Sequence, residues 1–172
     1  MKYLRAVEPE DLDLMYIVEN DAAIFRYSST TVPLSCFALK QYIENSSGDL
    51  YTDSQVRLTI MNPQNGCACG FLDITDLSAK HSRAQVGIAL LPEVQGRGVA
   101  TGALREAEHY ARQQGLFQLY AIVAVDNYNG RLLFDRAGYD ATAVLQEWFL
   151  MDGEYMDAIV FQHSYKSVGT TR

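Results

Sequence analysis

Two hydrophobic periodicities alternate along the chain, and the places where one gives way to the other mark out its elements. Tyr3-Leu4-Arg5-Ala6-Val7 reads as a short strand. Pro9 predicts a helix start, with Glu10 and Asp11 in the first turn, where carboxylates complement the N-terminal dipole. Leu12, Met15 and Tyr16 recur at helical spacing and predict the buried face of that helix. After the polar stretch Ser28-Ser29-Thr30-Thr31 a second helix is expected, capped by Ser35, with Cys36, Leu39 and Ile43 along one side. Val56, Leu58 and Ile60 then alternate with Arg57, Thr59 and Met61, the mark of a strand with one buried face. Asn62-Pro63-Gln64-Asn65-Gly66 turns the chain back, and residues 67–75 read as the returning strand. Beyond a polar loop at 78–82, residues 86–90 alternate again.

The second half reads differently. A turn bearing Gly96 and Gly98 runs into a helix over Val99–Gln113, with Ala103, Leu104, Ala107 and Ala111 on its apolar face and Gly115 as its stop. Residues 119–125 form a continuous apolar run, as in a strand buried on both faces. Residues 129–137 predict a short helix closed by Gly138. Residues 144–150 and 155–161 flank Met151-Asp152-Gly153-Glu154 and predict a terminal hairpin. The sum is α+β: antiparallel strands first, one strand–helix–strand unit in the middle, a hairpin at the end.

Composition narrows the partners. The chain has 172 residues, about one domain's worth, with no internal linker; 1–166 reads as that domain and 167–172 as a frayed tail. Its 21 acidic and 14 basic residues leave a net charge of −7, which argues against a grip on nucleic acid. Cationic partners such as amines stay open. Three cysteines fit a reducing compartment, and Cys67 and Cys69, two apart in an expected strand, read as small buried thiols. His81, His109 and His163 lack metal spacing. The N-terminus is too polar for a signal peptide, and no apolar run approaches the ~20 residues of a membrane helix. The expectation is a soluble cytoplasmic protein that binds neither metal nor membrane.

The most informative segment is Leu91-Pro92-Glu93-Val94-Gln95-Gly96-Arg97-Gly98-Val99-Ala100-Thr101-Gly102. A strand empties into a glycine turn that opens a helix, so backbone N–H groups and a helix end converge on one spot. That arrangement binds a phosphate; it is also what an ordinary strand-to-helix turn looks like. It is neither a Walker loop nor a GxGxxG fingerprint.

Gln95-x-x-Gly98-x-Ala100 resembles the Q/R-x-x-G-x-G/A signature of the GNAT acetyltransferase superfamily, which binds the pyrophosphate of acetyl-CoA there. Asn127-x-x-Gly130, followed by Leu133-Phe134 and Gly138-Tyr139, resembles the family's second signature. The resemblance runs from about residue 3 to 165. It is strongest toward bacterial spermidine N-acetyltransferases and ribosomal-protein N-terminal acetyltransferases, through Leu4-Arg5, Glu10-Asp11-Leu12, Arg26-Tyr27 and Phe161-Gln162-His163-Ser164-Tyr165. It implies a mixed, mostly antiparallel sheet with flanking helices, whose central strands (86–91 and 119–125 here) splay apart. It also implies acetyl-CoA as co-substrate, held by Gln95, Gly96, Arg97, Gly98, Val99, Ala100, Thr101, Asn127, Gly130 and Phe134, with the pantetheine arm bonded near Ile88 and Leu90. The acceptor would be a primary amine: a small molecule, a polyamine or a protein N-terminus. A homo-oligomer is compatible with the resemblance.

Acetyl transfer needs the thioester held, its oxyanion stabilised, the ammonium deprotonated and the thiolate protonated. Two family positions depart here. The aromatic residue seven after the Asn is usually the tyrosine that protonates the thiolate, and it is Phe134. A glutamate base often opens the fourth strand, and Gln85 stands there. Candidate substitutes are Asp73, ranked first, with Asp76, Tyr128 and Glu147. In a regular strand Asp73 and Asp76 face opposite sides, unless a bulge intervenes. The alternative to an enzyme is an acetyl-CoA-binding module or sensor in which catalysis is weakened.

Overall fold

Across the sheet the strands follow their order along the chain except that the last lies between the fifth and the sixth, and the one parallel pair frames the candidate site. The computed structural model describes residues 2–28 and 30–165. In chain order its elements are β1 Leu4–Ala6, α1 Leu12–Asn20, α2 Ala22–Phe25, α3 Cys36–Asn45, α4 Leu50–Asp53, β2 Val56–Met61 and β3 Ala68–Ser78. Then come β4 Arg83–Leu90, α5 Val99–Gln113, β5 Gln118–Ala124, α6 Tyr128–Arg136, β6 Asp140–Met151 and β7 Glu154–Ser164. The strands form one seven-stranded sheet in the order β1-β2-β3-β4-β5-β7-β6. Every neighbouring pair is antiparallel except β4 and β5. A parallel pair needs a crossover, and α5 supplies it.

Each face of the sheet has its own layer. On one, Ala103, Leu104, Ala107 and Ala111 of α5 pack among Leu72, Ile74, Ala84, Val86 and Leu119, all but closed to solvent. On the other, Met15 and Val18 of α1 and Leu39 of α3 cover Phe71. Each of the large side chains contributes about 2 kcal/mol through the apolar surface it hides. At the foot of α1 the buried Asp11 accepts two hydrogen bonds from Arg5 (2.6 and 2.7 Å), one from the Glu8 N–H (3.0 Å) and one from the Thr59 hydroxyl (2.8 Å). One carboxylate thus ties β1, β2 and the entry to α1 together.

The α+β reading and the buried face of α5 hold, and several local expectations do not. Tyr16 is exposed because the inward stripe of α1 runs through Met15 and Val18. Cys36 is exposed in the first turn of α3, so only Leu39 of the expected stripe is buried. Cys67 lies in the turn before β3 and is exposed, leaving Cys69 as the buried thiol, 3.4 Å from the Ile60 carbonyl oxygen. Helices α2 and α4 were not expected. Each has four residues, too few for a periodicity, and each is nucleated by an aspartate cap, Asp21 or Asp49. The terminal hairpin is longer than expected because β6 is an edge strand, mostly exposed, with little apolar alternation to mark its ends. Among the described residues no helix is long and apolar enough to cross a membrane. The expected tail at 167–172 lies outside the described residues.

Candidate active site

Pairing between β4 and β5 lasts three residues: Arg83 with Gln118, Ala84 with Leu119, Gln85 with Tyr120. Beyond that point β4 stays on β3, as far as Leu90 opposite Gly70, and β5 stays on β7, as far as Ala124 opposite Ala158. The strands run in the same direction, so the gap opens toward their carboxyl ends. This is the splay that the family resemblance implied. Alternate peptide groups of β4 face it without a strand to bond, which suits an extended ligand laid between the strands. Ile88 is half-buried in this stretch, and Leu90 is buried. β3 reaches unusually close to β4 here: a Cβ on Gly70 would sit 2.2 Å from the Ala89 carbonyl oxygen.

The glycine turn closes the open end. Gly96 and Gly98 take φ of +72° and +78°, the left-handed region that side chains disfavour. The Gln95 side chain donates to the Leu90 carbonyl at 3.0 Å, strapping the turn to the end of β4. Gly98 caps α5, and the Gly102 N–H is bonded to its carbonyl at 3.0 Å. The amides of Val99, Ala100 and Thr101 precede that bond and belong to the unsatisfied start of the helix. No acid stands in this first turn, and a Cβ on Gly98 would meet nothing within 4 Å. An uncompensated helix end beside open space fits a pyrophosphate. Val99 turns into the core, whereas Gly96 and Arg97 are exposed.

The second signature stands at the carboxyl end of β5, beside the same gap. Asn127 caps α6, its Oδ1 accepting the Gly130 N–H at 2.9 Å. Phe134, on the inner side of α6, is buried, edge-on to Tyr139 and stacked on Phe161 with centroids 5.2 and 5.9 Å away. Tyr128 is exposed on the first turn.

The acid and base candidates scatter. Asp73 is held by Arg57, whose Nε and Nη2 donate to its two oxygens at 2.6 and 2.9 Å. Glu147 is exposed on the ribbon of β6 and β7 beyond β5, at a bulge with φ of +50°, its N–H donating to Asp157 at 2.8 Å. Asp76 is where the alternative bulge occurs: β3 slips between Thr75 and Ser78, and Asp76 takes φ of +50°. The Tyr120 hydroxyl donates to Asp76 Oδ2. Burial and that carboxylate push the Tyr120 hydroxyl up to about 12. Sequence reasoning missed Tyr120 and Arg57, and gave Arg26 a place only in the resemblance. Arg26 bridges Asp126 after β5 (3.0 Å) and Asp152 in the hairpin turn (3.2 Å). The pairing of Gln85 with Tyr120 was the available signal for the first, once β4 and β5 are known to be neighbours.

A parallel pair that splays, a glycine turn and helix start at its mouth, and a capped helix after the second strand define an acetyl-CoA-dependent N-acetyltransferase. The chain belongs to the GNAT acetyltransferase family, whose acetyltransferase (GNAT) domain model matches residues 3–140. Spermidine N(1)-acetyltransferase of Escherichia coli K12 is 28% identical over 166 residues, 94% of this chain and 87% of that protein. The structure of spermidine N-acetyltransferase from Vibrio cholerae in complex with CoA and spermine superposes with a TM-score of 0.83 at 24% identity, covering 94% of each chain. Ribosomal-protein-S5-alanine acetyltransferase from Vibrio fischeri shares the fold at a TM-score of 0.83 and 13% identity, over 99% of this chain and 97% of that one.

Proposed function

We propose that this enzyme acetylates a small cationic amine of the polyamine class. The glycine turn and the start of α5, Gln95 to Thr101, hold the pyrophosphate of acetyl-CoA. Asn127 and Gly130 shape the far wall of the gap, and the backbone around Ile88 and Leu90 holds the pantetheine. The observation that carries the reading is the bulge in β3. It turns Asp76 to the sheet face that Asp73 and Tyr120 occupy, beside the point where β4 and β5 part. The family's polyamine enzymes place acids between the first two helices, and residues 28–33 hold none. Here the Asp76 carboxylate of β3 meets the cation instead. Two spermidine acetyltransferases among the relatives support the same class of acceptor.

Phe134 has no proton to give, and a thiol of pKa about 8.5 leaves as thiolate with solvent as its acid. Thiol release from acetyl-CoA, followed across spermidine, spermine, amino acids, aminoglycosides and N-terminal peptides, tests the reading. Turnover highest with polyamines is expected. Turnover only with peptides moves the acceptor to a protein N-terminus. Tight acetyl-CoA binding with no thiol release from any acceptor marks a sensor instead.

A further inference from the structure

Gln85 marks the vertex of the cleft, and its neighbours across the sheet bring chemistry to the same face. Thr75 pairs with it on one side and Tyr120 on the other. One position earlier, Ala84 and Leu119 are fully buried in the core under α5, so Gln85 and Tyr120 point to the opposite face. In a regular strand Asp76 would follow Ile74 into that core. The register slip after Thr75 and the left-handed φ of +50° reverse it. Its carboxylate then receives the Tyr120 hydroxyl. Aspartate tolerates this backbone conformation better than most residues, and the structure uses it to bring a carboxylate beside the amide that replaces the usual base.

Asp76 also differs from its neighbour in availability. Both oxygens of Asp73 are occupied by Arg57. Asp76 is exposed, and the ion pairs among the described residues do not include it. Its partner from β5 is a neutral hydroxyl, Arg83 of β4 acts on that hydroxyl at longer range, and along β3 the Asp73 charge is already paired.

We propose that Asp76 is the catalytic carboxylate that meets the acceptor ammonium at the vertex of the cleft, with Tyr120 as its positioning residue. The role rests on the reading of this chain as an acetyltransferase for a cationic amine. The ammonium gives one proton to Asp76, directly or through one water, as its freed lone pair forms the N–C bond to the thioester carbonyl carbon. The C–S bond breaks, the second N–H proton passes through solvent to the departing thiolate, and the proton on Asp76 returns to bulk water. Full transfer before attack is uphill, since an alkylammonium, with a pKa of about 10.4, is a far weaker acid than a carboxylic acid. The carboxylate therefore works by orienting the ammonium and taking its proton as the bond forms. Tyr120 holds Oδ2 and leaves Oδ1 to the amine.

The test is the pH profile of kcat/KM for spermidine, by thiol release, in wild type, Asp76→Asn, Asp76→Glu and Tyr120→Phe, with acetyl-CoA affinity measured by calorimetry. Asp76→Asn is expected to lose about 100-fold in kcat/KM near neutrality, the scale of one general base, and to keep its acetyl-CoA affinity. Its rate should climb tenfold per pH unit toward the amine pKa, as it waits for free amine, while the wild-type profile is shallower. Asp76→Glu restores part of the rate. Tyr120→Phe loses about tenfold and steepens the profile. Asp76→Asn within about twofold of wild type, with the same profile, overturns the role while leaving the polyamine reading intact. Asp76→Asn that loses acetyl-CoA binding along with rate makes the residue structural and overturns the role too. A wild type that binds acetyl-CoA but acetylates no amine overturns both.

Discussion

The guanidinium of Arg57 grips Asp73 through two hydrogen bonds and Glu19 through a third, at 2.6, 2.9 and 2.5 Å. It lies over the rings of Tyr42 and Phe71, 5.6 and 5.5 Å from their centroids. Burial alone would weaken the cation, and the two carboxylates more than reverse that, so its pKa is raised. One arginine thereby joins β2, β3 and α1.

Arg57→Met should therefore destabilise the fold by about 3 kcal/mol at neutral pH, because it strands two half-buried carboxylates. Urea denaturation measures it. A loss under about 1 kcal/mol would mean that the network is solvated and replaceable.

Asp11 predicts an acid-sensitive joint. Burial raises its carboxyl, but Arg5, the Glu8 N–H and Thr59 outweigh that and hold it below the usual carboxylate range. A folded pKa below the unfolded one stabilises the fold above the unfolded value, about 3.9, and that contribution is lost as pH falls through the folded value. Asp11→Asn should thus cost about 2 kcal/mol at pH 7, with the gap to wild type closing below about pH 4. Denaturation midpoints across that range check it; a gap independent of pH would contradict the charge.

Gly70→Ala should disturb the proposed cofactor wall from behind. The new methyl would lie 2.2 Å from the Ala89 carbonyl oxygen and 2.9 Å from the Leu90 Cα, both backbone atoms. The strands must part, at a cost of about 3 kcal/mol, and acetyl-CoA affinity should fall with stability. Thermal unfolding and calorimetry read the two effects.

Gly98→Ala separates backbone strain from ligand contact. At φ of +78° an alanine costs about 1 kcal/mol of stability, yet the site has room for it in the free protein. If the pyrophosphate occupies that room, the affinity for acetyl-CoA should fall at least about tenfold, and Gly98→Glu should abolish binding by charge as well as bulk. Unchanged affinity in Gly98→Glu would remove the turn from the cofactor site.

The proposed cofactor side was legible in the sequence because its parts are contiguous. Gln95 to Thr101 form one turn and one helix start, Asn127 caps a helix three residues from Gly130, and the apolar face of α5 follows from periodicity alone. Local backbone chemistry governs each of these, and it is written within a few residues. The proposed acceptor side was not legible. Arg57 meets Glu19 across 38 residues, and Tyr120 meets Asp76 across 44. The first exists because α1 packs over β2 and β3, and the second only because β5 lies beside β4 in the sheet and β3 slips by a bulge that no periodicity announces. The sequence by itself determined most of the elements and the glycine turn at 95–101, through short-range propensity and spacing. Only the tertiary structure decided which carboxylate stands free at the vertex, because strand order and a single left-handed residue select the face on which a side chain emerges.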